Sequence, residues 1–154
     1  MLHAKKTSSF SREYEITRHG KVVTTFSSKR FGSGRFSLDG IEYRLRSHWF
    51  TGAHELLTAE DSLVAATGRV SRRWSMRAAG KTFHFKQNSI GSRTQSMVDE
   101  NGRPVGSITR TGNGASADLS ALDPELQVFA IALLLARWRR RKVVAVQGAT
   151  LGGR

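Results

Sequence analysis

The stretch that decides the fold is Asp123-Pro124-Glu125-Leu126-Gln127-Val128-Phe129-Ala130-Ile131-Ala132-Leu133-Leu134-Leu135-Ala136, followed by Arg137-Trp138-Arg139-Arg140-Arg141-Lys142. Asp123 is a good N-terminal cap, and Pro124 fits the first helical position, where no backbone donor is needed. Glu125 puts negative charge at the positive end of the helix dipole, and the closing cations suit the other end. The pattern predicts a helix over about 124–141. Between Leu126 and Ala136 only Gln127 is polar. A helix that is apolar on every side must be buried on every side or sit in lipid. Spanning a bilayer takes about 20 apolar residues, and this run of 11 holds 10. The reading is a core helix.

What surrounds it is legible upstream. Glu13–Thr17, Arg35–Leu38 and Ile41–Arg46 alternate apolar and polar side chains, and Lys21–Phe26 is the return strand after Glu13–Thr17. Arg73–Arg77 and Thr82–Lys86 do so too, and Glu55–Ala59, Ser62–Ala66, Gln95–Val98 and Pro104–Ile108 read as strands flanking turns, with Ala115–Leu119 as a last short strand. His19-Gly20, Asp39-Gly40 and Ala79-Gly80 are hairpin turns, Asp39-Gly40 carrying the strongest such signal. About ten to twelve short strands in series, with no helical period before residue 120, predict an antiparallel meander closed as a barrel. A barrel that wide is not filled by its own side chains. A helix over Pro124–Trp138 is about 22 Å long, close to the about 20–26 Å of a six- to eight-residue strand, so it threads the barrel from end to end. The expected class is therefore mainly β: a closed antiparallel barrel around a central hydrophobic C-terminal helix. Residues 1–9 are expected as a flexible N-terminus, 10–142 as the barrel with its helix, and 143–154 as a disordered Gly-rich tail.

The chain has 154 residues, a formal net charge of +13 and no cysteine. That length is one domain. The absence of cysteine excludes disulfides, thiolate metal sites and cysteine nucleophiles. Residues 1–123 carry 19 basic and 11 acidic side chains, and residues 124–154 carry 6 and 1. Such a balance attracts phosphates on nucleic acid or anionic lipid. Met1–Lys6 is polar and basic with no apolar run after it, so no secretory signal is read. The expected location is cytoplasmic, peripheral at the inner membrane face.

These features resemble the tubby C-terminal-like superfamily, which includes the tubby proteins, the phospholipid scramblases and the LURP-one-related proteins. The resemblance spans roughly residues 10–142. Phe36-Ser37-Leu38-Asp39-Gly40 with Tyr43, the strand start Asp61–Ala66, and Asp123-Pro124 opening the apolar helix carry it. The nearest likeness is to small bacterial LURP-one-like proteins. No N-terminal effector region and no Cys-rich or Pro-rich tail is present, which argues against scramblase-type transport. The resemblance implies a non-enzymatic module that binds anionic headgroups, phosphoinositides among them, through paired cations on the barrel wall.

Arg44 and Arg46 have the spacing of such a pair, because residues two apart on a strand share a face. Arg73 and Arg77 share a face of a later strand, with Trp74 and Met76 opposite, and Lys81 and Lys86 flank the next. If these strands are neighbours, Arg44, Arg46, Arg73, Arg77 and Lys86 form one cationic patch. Arg137, Trp138, Arg139, Arg140, Arg141 and Lys142 form a second candidate, suited either to a membrane surface or to a last helix turn that caps the barrel mouth with Trp138 packed on the rim. Nucleic acid is the alternative partner: Phe36, Trp74, Phe83 or Phe85 would stack bases if exposed, but their alternating positions are expected to point inward, and a protein-interaction domain is a third reading. His48 and His54, six apart, match no zinc spacing, and His84 points away from Phe83 and Phe85. No serine lies in a nucleophile elbow, and Gly32-Ser33-Gly34 is a hairpin loop. No cofactor, metal or catalytic residue is assigned.

Overall fold

The computed structural model describes residues 1–8, 12–29, 33–48 and 50–152, with helix side chains described through Arg139. Twelve strands precede one helix. They are β1 (Leu2–Lys6), β2 (Glu13–Arg18), β3 (Lys21–Ser28), β4 (Gly34–Leu38), β5 (Ile41–His48), β6 (Ala53–Thr58), β7 (Leu63–Thr67), β8 (Arg73–Ala78), β9 (Lys81–Gln87), β10 (Thr94–Val98), β11 (Pro104–Thr111) and β12 (Gly114–Asp118). Helix α1 runs from Pro124 to Gly152. Each strand pairs antiparallel with the next in sequence, and β1 pairs with β12 to close the barrel. All eleven strands expected from alternation are present.

Two boundaries differ from expectation. The stretch expected as a flexible leader contains a strand: Leu2 and Ala4 are buried, and β1 fills the gap between β12 and β2. Without it two strand edges would be left with unpaired backbone groups. The signal was the short alternation Leu2-His3-Ala4, which the basic flank Lys5-Lys6 obscured. The helix also continues past 141 to Gly152, through most of the stretch expected to be disordered. Closure requires close backbone approach: a Cβ at Gly114 would lie 1.8 Å from the Ala4 carbonyl oxygen.

The turns show why the chain reverses where it does. His19 and Gly20, Asp39 and Gly40, and Ala79 and Gly80 all have positive φ, the two-residue geometry whose twist matches that of the flanking strands.

The helix is the core. Phe129, Ala130, Ile131 and Leu134 are fully buried, and Leu126, Val128, Ala132, Leu133 and Leu135 nearly so. Barrel side chains meet them from all sides, among them Ile16, Leu45, Leu56, Met76, Met97 and Ile108. The lone polar residue of the run, Gln127, is buried and donates from Nε2 to the Leu122 carbonyl at 2.8 Å. At the helix start the Asp123 carbonyl accepts from the Leu126 and Gln127 amides.

Candidate functional site

Because the strands alternate direction, the barrel has two unlike rims. The start rim, where α1 begins, carries the turns at 19–20, 39–40, 59–62, 79–80, 99–103 and 119–123. The exit rim, where Trp138 and Arg139 emerge, carries the connections after β1, β3, β5, β7, β9 and β11.

Charge separates between them. Nine of the 12 Asp and Glu side chains lie in the start half: Asp39, Glu42, Glu60, Asp61, Asp99, Glu100, Asp118, Asp123 and Glu125. Setting aside Arg30, Arg140, Arg141, Lys142 and Arg154, 20 of the 25 Lys and Arg are described. Of these, 14 lie in the exit half: Lys5, Lys6, Arg12, Lys29, Arg35, Arg46, Arg69, Arg72, Arg73, Lys86, Arg93, Arg110, Arg137 and Arg139. Only Glu13, Glu15 and Glu55 accompany them. The described side chains carry a formal −3 in the start half and +11 in the exit half. The start-half carboxylates face the positive N-terminal end of the helix dipole, whereas the exit cations lie alongside the helix, which ends farther on at Gly152. In sequence the exit cations are scattered from Lys5 to Arg139, so only the up-and-down topology reveals the grouping.

The expected wall patch splits in two. Arg44 and Arg46 do share the outer face of β5, but β6 and β7 separate them from Arg73 and Arg77 on β8. Arg44 and Arg46 line a cavity of about 650 Å³ with Lys29, Arg35 and Glu42. Both are committed to carboxylates. Arg44 pairs with Asp61, and Arg46 donates to Glu55 Oε1 at 3.2 Å from Nε and 3.0 Å from Nη2. Hydrogen bonds from His48 and Arg46 hold the Glu55 carboxyl below the usual carboxylate range. A ligand phosphate there would compete with carboxylates already in place.

The β8–β9 cations are arranged differently. Arg73 sits directly opposite Lys86, and Arg77 opposite Thr82. Like charges placed opposite one another destabilise a ladder. Among the described residues no carboxylate pairs with Arg73, Arg77 or Lys86. Between the two rungs Ser75 Oγ lies 2.9 Å from His84 Nδ1.

At the exit mouth the expected cluster divides again. Trp138 is 9% exposed, so of its two readings it takes the packed one and not the membrane-facing one. It closes the mouth, with the Arg110 guanidinium 6.0 Å from its ring centre. Arg137 Nη1 donates to the Val70 carbonyl at 3.0 Å, tying the helix to the β7–β8 connection. Arg139 lines a small hollow with Lys6, Tyr14 and Arg110. Burial raises the Tyr14 phenol above its ordinary pKa, against the opposing pull of Arg139 and Arg110. The side chains of Arg140, Arg141 and Lys142 lie outside the described residues.

The aromatic residues offered as base-stacking platforms are in the core. Trp74 stacks on Phe85 at 4.1 Å, Phe36 on Tyr43 at 5.1 Å, and Phe83 packs partly against the core. Trp74 Nε1 also donates to the buried Gln95.

Serine–histidine pairs recur, unforeseen in sequence because they depend on register. Ser47 meets His54 Nδ1 at 2.7 Å, Ser75 meets His84 Nδ1, and Ser116 meets His3 Nδ1 at 3.3 Å. Each is a directly opposed cross-strand pair. A hydrolytic triad presents Nε2 to the nucleophile and Nδ1 to an orienting carboxylate. Here Nδ1 faces serine every time, so these are ladder contacts. Among the described residues no His, Asp and Glu group has the makings of a metal site, and no helix is long and apolar enough to cross a membrane. No family model matches the chain, and neither curated proteins nor solved structures yield a match.

Proposed function

We propose that this chain is a non-enzymatic binding module, of tubby or LURP-one type, that engages anionic phosphate-bearing surfaces through its basic exit half. Anionic lipid headgroups at the inner face of the cytoplasmic membrane are the foremost ligand class. The observation that carries this reading is the segregation of charge: +11 in the exit half against −3 in the start half. Cations near an anionic bilayer each contribute about 1 kcal/mol, and this benefit adds up only where they face one way. The Arg73–Lys86 rung, a like-charge pair with no carboxylate to offset it, gains most from an external anion. The tubby kinship is part of the proposal, since a barrel around a helix is an architecture that hosts more than one function.

Nucleic acid shares the charge argument but lacks support from the buried aromatics. Co-sedimentation with phosphatidylserine-containing and neutral phosphatidylcholine vesicles at about 0.15 M salt tests the proposal. Selective pelleting with the anionic vesicles is expected. Oligonucleotide binding with a steep salt dependence, and no vesicle binding, would replace lipid by nucleic acid. Binding to neither overturns the proposal.

A further inference from the structure

Eight large apolar side chains are exposed among the described residues, and their positions divide them. Six lie at the start rim, between 38% and 61% exposed: Met1, Val22, Val23, Ile41, Leu63 and Val105. They stand near its carboxylates, which an anionic surface repels. The other two are the most exposed of all, Ile90 at 82% and Phe50 at 80%. Both sit at loop tips of the exit rim, Ile90 between β9 and β10 and Phe50 between β5 and β6.

Both tips are held outward by closed turns. The Ser92 amide bonds to the Ser89 carbonyl at 3.0 Å, and Gly91 has φ +77°, which puts Ile90 at the first corner of a type II turn. The Gly52 amide bonds to the His48 carbonyl at 2.8 Å, and Gly52 has φ +75°. Cations stand beside each tip. Arg93 follows the Ile90 turn, and the Arg69 side chain packs against Gly52. Measured along the wall the two tips are four strands, about 19 Å, apart.

We infer that the exit rim docks on an anionic bilayer with Ile90 and Phe50 entering the interface while the surrounding cations hold headgroups. This rests on the anion-binding reading above and adds orientation and partner to it. Isoleucine enters duplex DNA only as a minor-groove wedge that kinks it, whereas a bilayer interface takes up apolar tips flanked by Lys and Arg. The exposed apolar tips set among cations therefore select a membrane.

The chain has no cysteine, so single-cysteine variants can carry one environment-sensitive nitrobenzoxadiazole label each. The positions are Ile90→Cys, Phe50→Cys and, on the start rim, Asn101→Cys. All three sites are exposed, and an unchanged melting temperature verifies folding. On vesicles with about 30% phosphatidylserine, labels at 90 and 50 should shift to the blue and the label at 101 should not. Ile90→Ser with Phe50→Ser should weaken vesicle affinity by about tenfold for each side chain. Binding without a shift at 90 and 50 overturns the inference and leaves electrostatic adsorption standing. A shift at 101 instead overturns both the inference and the assigned face. Oligonucleotide binding without vesicle binding overturns the membrane as partner while keeping an anionic ligand. Binding to neither overturns the functional reading itself.

Discussion

The segregation of charge can be tested with two variants of identical net charge. In one, the exit-rim residues Arg69, Arg72 and Arg93 become Gln; in the other, the start-rim residues Lys21, Lys81 and Arg103 do. All six are exposed, and none of them forms a side-chain ion pair with a described residue. Each variant loses three positive charges. The longest strands have eight residues, about 26 Å along the strand and about 20 Å along the axis after a barrel tilt near 40°. At 0.15 M salt the screening length is about 8 Å, so a surface touching the exit rim lies more than two screening lengths from the start rim. Three exit-rim cations at about 1 kcal/mol each amount to about 3 kcal/mol, over a hundredfold in affinity. The start-rim triple should change affinity less than about twofold. Titration of anionic vesicles by co-sedimentation reads both directly. Equal weakening would show that net charge alone acts and that the rims are equivalent to the ligand, which refutes the reasoning.

Three further outcomes test the fold. Leu134 is fully buried in the barrel, so Leu134→Ala should lose about 2.7–5 kcal/mol in denaturant unfolding. Leu134→Asp, which buries an unpaired charge, should not fold, and a native-like circular dichroism spectrum from it would refute the central helix. Gly114→Ala places a methyl group on the Ala4 carbonyl and should lower the melting temperature by at least about 4 °C. Gly68→Ala, with nothing near its Cβ, should leave it unchanged, and equal effects would place the β1–β12 closure in error. The Glu55 carboxyl is held below its ordinary pKa by His48 and Arg46, so its contribution is present above about pH 4.5 and lost as pH falls through the folded value. The pair is near the surface, so the contribution is under about 1 kcal/mol. Glu55→Gln should flatten the acid limb of urea-unfolding stability by that amount, and an identical limb would refute the coupling.

Local sequence determined much of this protein. Alternation placed eleven of twelve strands, Asp39-Gly40 and its like placed turns, and the unbroken apolar run from Val128 to Leu135 compelled a buried helix, because each is a property of neighbouring residues. It missed β1, whose place depends on β12 more than a hundred residues away. It grouped Arg44 and Arg46 correctly on one face, but the commitment of these residues to Asp61 and Glu55 arises across strand pairs whose register local sequence does not state. It left open whether Arg73 and Arg77 neighbour Arg44, which the β6–β7 hairpin between them decides against, and it left Trp138 between a membrane-facing place and the barrel rim, where it is buried. The basic exit rim belongs to tertiary structure alone. Its cations come from many separate segments, and only strand direction sums them on one end, since charge adds in space and not along the chain.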